Sequence, residues 1–128
     1  MQLFGNVTQG LSTALDLYQA RHTVLAENIA NSETPGYRAR DLDFANELKA
    51  ALAPPDPGTP GDPTGVTPTP HIEPTVDRTA AVKADGNSVA LDTQVGRLSE
   101  NAFKIQALTQ ILSARYQGLK RAIDGGRG

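Results

Sequence analysis

The side chains able to do chemistry are few and poorly placed for it. With no cysteine in the chain, neither His22 nor His71 has a thiol to activate, and disulfide or thiolate chemistry is excluded. His71-Ile72-Glu73 matches the first half of a zinc-deaminase motif but lacks the cysteines that complete such a site. There is no G-x-G-x-x-G, Walker lysine loop or H-E-x-x-H. Asp41 and Asp43 sit beside Arg38 and Arg40, an arrangement of solvated or interfacial charge with no reason for a raised pKa. Gly125-Gly126-Arg127-Gly128 reads as a frayed tail, and Asn6-Val7-Thr8 is an accidental glycosylation pattern inside a helix. The expectation is a protein that is not an enzyme and takes no cofactor or metal.

Nucleic acid is also unpromising. Arg97, Lys104 and Arg115 fall within about 20° of one another at 100° per residue, but three charges on a chain of net charge -2 make a thin phosphate footprint. They read as a solvated or partner-facing line. His22 reads as a packed or interfacial imidazole on a helical stripe.

The elements that carry these residues are mostly helical. Phe4, Val7, Leu11, Leu15, Tyr18, His22, Leu25 and Ile29 step by threes and fours, which predicts a helix over residues 1–31 about 40 Å long. Asn31 and Pro35 end it, with Asn31 expected in the left-handed conformation. Thr34-Pro35-Gly36-Tyr37 then has the composition of a tight turn with glycine at positive φ. Leu42, Phe44 and Leu48 anchor a short helix or extended piece within a segment spanning 32–52. Residues 53–75 form a Pro/Gly-rich linker, since eight of the nine prolines lie between Pro54 and Pro74 with too little apolar surface to fold. Residues 76–90 read as weakly strand-like to Ala84, then a turn at Asp85-Gly86-Asn87. A second long helix spans 91–124 along Leu91, Val95, Leu98, Ala102, Ile105, Leu108, Leu112, Tyr116, Leu119 and Ile123, with Asp92 as its amino-terminal cap and Gly125-Gly126 as its stop.

The fold class expected is therefore all-α and extended, with the terminal helices paired as in a coiled coil and an irregular middle. No cleavable secretory signal and no run of about 20 apolar residues is present, so no membrane span is expected. Charge is unevenly spread: residues 32–88 hold nine acidic and five basic side chains, residues 89–128 three acidic and six basic. Two helical stripes leave apolar flank uncovered, so the isolated chain is expected to be partly unfolded and to complete its burial with other copies.

Glu27-Asn28-Ile29-Ala30-Asn31-Ser32-Glu33-Thr34-Pro35-Gly36-Tyr37 resembles the amino-terminal motif of the flagellar rod and hook axial proteins. Asp85-Gly86-Asn87-Ser88-Val89, Leu91-Asp92, Asn101, Gln106-Ala107-Leu108-Thr109 and Leu119-Lys120-Arg121-Ala122-Ile123 are similar to the carboxy-terminal half of that family's proximal rod members. The resemblance covers about residues 1–50 and 76–126 and leaves the linker outside. It implies a structural subunit of the proximal rod of the bacterial flagellar basal body. Such a subunit stacks helically around a channel, transmits torque and is exported to the periplasmic rod through the flagellar type III apparatus without a cleaved signal. The implied partners are other copies in a helical array, other rod proteins, the rod-base adaptor, the export gate and the inner membrane ring.

Phe4, Leu11, Tyr18, Leu25 and Ile29 with Leu98, Ile105, Leu112, Tyr116 and Leu119 are the expected helix-pairing and assembly residues. Asn31, Thr34, Pro35, Gly36, Tyr37 and Phe44 are expected to carry a turn that contacts a neighbouring subunit. The competing reading is a coiled-coil adaptor or chaperone of a type III secretion system, which shares the stripes but has no use for the Asn-Ser-Glu-Thr-Pro-Gly-Tyr turn.

Overall fold

A computed structural model describes residues 2–53 and 72–126. Its elements are α1 (Gln2–Ala30), β1 (Arg40–Asp41), α2 (Phe44–Leu52), β2 (Thr75–Val76) and α3 (Leu91–Gly125). Most of the Pro/Gly-rich linker lies outside the described residues, as do His71 and the last two residues of the glycine-rich tail. Among the described residues no helix is long and apolar enough to cross a membrane.

The long helices pack against each other and run antiparallel. Asn28 meets Gln94 at one end of the contact, and the backbone of Tyr18 meets Asn101 further along. Ala14 and Leu108 line a common groove. Each long helix thus finds its partner at the opposite end of the sequence. The middle of the chain folds onto one end of this pair: β1 and β2 pair antiparallel, Arg40 opposite Val76 and Asp41 opposite Thr75. α2 lies beside α1, with the rings of Phe44 and Tyr18 stacked at 4.2 Å between centroids.

The buried apolar core is small: Leu17, Val24, Leu25, Ala39, Leu42, Val89 and Leu112. On α1 it follows a row displaced from the one expected. Leu17, Val24 and Asn28 are buried, each one residue before Tyr18, Leu25 and Ile29, and among the described side chains of the anticipated row Leu25 alone is fully enclosed. α1 is flanked by α3 as well as by α2 and β1, so two adjacent rows share burial and a one-sided reading of periodicity picks the wetter of them.

Three local expectations change. Asn31 does not take positive φ, because glycines alone do so among the described residues. Its amide donates instead to the Glu27 carbonyl at 2.9 Å, satisfying a helix-end acceptor without a left-handed residue. α3 is capped by Ala90 with no side-chain bond, and Asp92 lies in the first turn, where its charge favours the helix dipole. The strand expected over Val76 to Ala84 shrinks to Thr75–Val76, since turns at Asp77-Thr79 and Lys83-Gly86 consume the rest.

Candidate assembly interface and the clasp beneath it

Two loops meet at the end of the helix pair where α1 stops and α3 starts. Thr34-Pro35-Gly36-Tyr37 forms the expected turn, with the Tyr37 amide donating to the Thr34 carbonyl at 3.2 Å and Gly36 at φ 74°. Opposite it, Gly86 has φ 81°, and a Cβ there would stand 3.4 Å from the Gly36 Cα. That is ordinary contact distance, so it is the positive φ at both positions that favours glycine.

The loops are bonded across their whole length. Gly36 donates its amide to the Asp85 carbonyl at 3.0 Å, Ser88 donates its amide to the Tyr37 carbonyl at 3.0 Å, and the Ala39 amide donates to Ser88 Oγ at 2.8 Å. Asn87, fully buried, donates from Nδ2 to the carbonyls of Asn31 at 2.9 Å and Thr34 at 2.7 Å, while its Oδ1 accepts from the Val89 amide at 2.7 Å. Asn28 anchors the clasp to the helices. Its Nδ2 donates to the Arg40 carbonyl at 2.6 Å and to Gln94 Oε1 at 3.0 Å, and its Oδ1 accepts from the Arg40 amide at 3.0 Å and the Tyr37 hydroxyl at 3.2 Å. The two motifs therefore recognise each other inside one chain.

Beside the clasp a chain of charge ties the middle segment down. Asp41 accepts from Arg21 Nε at 2.8 Å and Nη2 at 2.9 Å. Arg97 reaches Asp41 at 3.6 Å and Asp77 at 3.0 Å. The bond to Asp41 raises the Arg21 pKa against partial burial. Asp77 is held below its ordinary range, first by the Thr79 hydroxyl and then by Arg97. Lys104 likewise bridges Glu100 at 3.0 Å and lowers its pKa, and its ammonium stands 5.7 Å from the Tyr18 ring centroid. Two members of the expected basic line, Arg97 and Lys104, are thus used within the chain. Asp43 caps α2, accepting from the Asn46 amide, and Arg40 pairs with Glu27 at 2.8 Å.

The expected assembly residues divide into two groups. Leu25 and Leu112 are buried, Leu11, Tyr18, Ile29, Leu98 and Ile105 half-buried, and Tyr116 and Leu119 exposed; the Phe4 side chain lies outside the described residues. In the turn motif Asn31, Tyr37 and Phe44 are half-buried against their own chain, and Thr34, Pro35 and Gly36 face outward. A large uncovered apolar surface belongs to α3, where Phe103 is 73% exposed, Tyr116 59% and Ile123 62%. Sequence reasoning missed Asn28, Asn87, Gln94 and Asn101 as organising residues. The available signal was their position: amides inside apolar stripes or beside a turn glycine.

The chain is 36% identical over 123 residues to the flagellar basal body rod protein FlgB of Salmonella typhimurium, covering 88% of this chain and 89% of that one. The chain belongs to the FlgB family of flagellar basal body rod proteins. A second FlgB, from Escherichia coli, is 34% identical over the same coverage. The FlgB of Bacillus subtilis is 27% identical over 99% of this chain and 100% of its own. No protein-family model matches the chain. In this FlgB-family chain, the clasp occupies the two segments whose resemblance to axial proteins is visible in the sequence.

Proposed function

We propose that this chain is a structural subunit of the flagellar rod, in its proximal part, that works by packing and performs no catalysis. The supporting observation is full-length similarity to FlgB proteins in a chain whose longest helix leaves large apolar groups uncovered. A heterologous contact that does not close generates a helical array, and close-packed helices resist the twist a drive shaft must carry. In this reading α1 and α3 form the wall of the shaft around an export channel. Neighbouring copies and other rod proteins cover Phe103, Tyr116 and Ile123, and the outward Thr34, Pro35 and Gly36 edge meets an adjacent subunit.

The remaining partners follow from the axial-family resemblance: the rod-base adaptor, the export gate and the inner membrane ring, reached by type III export into the periplasmic rod. The adaptor or chaperone alternative draws no support from the relatives, which carry the rod-protein name.

Phe103→Asp combined with Tyr116→Asp tests the reading in a strain lacking the natural gene. Both side chains are exposed, so the helicity of the purified variant should match the natural chain while swimming and rod assembly are lost. Normal motility with incorporated variant overturns the proposal.

A further inference from the structure

The seam of α3 that faces α1 carries a feature that stability alone does not explain. Gln94, Leu98, Asn101, Ile105, Leu108 and Leu112 alternate steps of four and three, the strict spacing of a coiled-coil seam. Gln94, Asn101 and Leu108 occupy equivalent positions in successive heptads. Two of the three are amides, 2% and 0% exposed.

These amides contribute little cohesion. Asn101 donates to the Tyr18 carbonyl at 2.8 Å, yet its Oδ1 is the buried side-chain polar atom left without a donor among the described residues. A buried acceptor in that state is destabilising. Gln94 Oε1 accepts from Asn28, whose Nδ2 is also engaged with the Arg40 carbonyl. A leucine at either position would bury more apolar surface and leave Asn28 bonded.

A uniform heptad of Leu and Ile has no preferred alignment, because a slip of seven residues presents the same seam again. Amides remove that degeneracy. After such a slip Asn28 would face position 101 or 87 in place of 94, and the Tyr18 carbonyl would face Gln94 or Leu108. Each slip leaves at most one of the two contacts with an amide opposite its partner, since the other partner then meets Leu108 or a residue outside α3; the native alignment makes both. A single polar seam residue that fixes register at a cost in stability is established physics for coiled coils.

We propose that Gln94 and Asn101 are positioning residues that set the register of α3 on α1. They align the helices so that the Asp85–Val89 loop arrives opposite Thr34–Tyr37 and the clasp can close. The two helices stand 60 residues apart in the sequence, so no short turn between them sets their alignment.

The natural chain has no cysteine, so register is read by cross-linking the purified full-length protein. Ala14→Cys with Leu108→Cys reports the native alignment, because both residues line one groove. Ala14→Cys with Arg115→Cys reports a seven-residue slip. In the natural background only the first pair should cross-link. In the Gln94→Leu/Asn101→Leu background helicity should be retained and the melting temperature unchanged or raised, while the slipped pair gains cross-links at the expense of the native one. Asn101→Leu alone, which keeps the Asn28–Gln94 bond, should stay largely in the native register. Exclusive native cross-linking in the double variant overturns the proposal. So does loss of helicity, which would make the amides stabilising and not register-setting.

Discussion

Replacing Asn87 tests whether one buried amide closes the clasp. Asn87→Ala removes two bonds to the Asn31 and Thr34 carbonyls and the acceptor of the Val89 amide. At about 1 kcal/mol net per bond, with the Val89 N–H left stranded beneath 0% exposed neighbours, the cost is about 3–4 kcal/mol. A small domain is stable by only ~5–15 kcal/mol, so the melting temperature should fall by roughly 10–20 °C. Asn87→Asp separates bonding from shape. It keeps the volume and the acceptor for Val89 but points a carboxylate oxygen at two carbonyls. Its folded-state pKa is therefore raised, and the stability held by the protonated acid is full below the unfolded value and lost as pH rises through the folded one. The assay is urea unfolding followed by circular dichroism at fixed chain concentration, at neutral pH and near pH 4. The Asp variant should be weaker than Ala at neutral pH and recover in acid. If Asn87→Ala unfolds within about 0.5 kcal/mol of the natural chain, the range of an ordinary surface change, the clasp is not what joins the two halves.

Asp41→Asn keeps shape but removes the charge that attracts Arg21 and Arg97 and replaces one acceptor oxygen with a donor; with both Arg21 and Asp41 side chains 19% exposed, the loss should be about 1–2 kcal/mol, read from the same urea curves. Asp77 is held low by Thr79 and Arg97, so its contribution is present above the unfolded carboxylate pKa and disappears as pH falls through the lower folded one. An acid titration of natural chain against Asp77→Asn should show the two converging below that range and separating above it. Leu112→Asp places a carboxylate at a site only 8% exposed; it should cost at least about 3 kcal/mol and abolish incorporation into the rod while synthesis continues, as seen by immunoblot of basal bodies.

Much of this architecture is legible in the residues. The two helices run Gln2–Ala30 and Leu91–Gly125, close to the 1–31 and 91–124 that apolar spacing and terminal glycines indicate. The Pro35-Gly36 turn follows from restricted dihedrals alone. What spacing hides is the polar interior. A count that follows apolar residues alone passes over Asn28, Gln94 and Asn101, although all three lie on the buried side. The row on α1 shifts for the same reason: Leu17 and Asn28 are enclosed from two directions by elements that one helix's periodicity does not encode. Asn31–Tyr37 and Asp85–Val89 stand out separately as motifs, but nothing local says that they touch, since their pairing depends on the register of helices at opposite ends of the sequence. The turn read as contacting a neighbour spends its Gly36 amide and Tyr37 ring on its own chain.

The proposed assembly gives the apolar residues of distal α3, exposed in the single chain, cover from neighbouring subunits. Hydrogen exchange of α3 amides, compared between dilute purified chain and isolated basal bodies, measures this directly. The account predicts slow exchange around Asn101 in both samples, and, from Tyr116 to Ile123, rapid exchange in the dilute chain that becomes slow in the rod. Equal, concentration-independent protection of Tyr116 to Ile123 in the dilute chain and in the rod would contradict it.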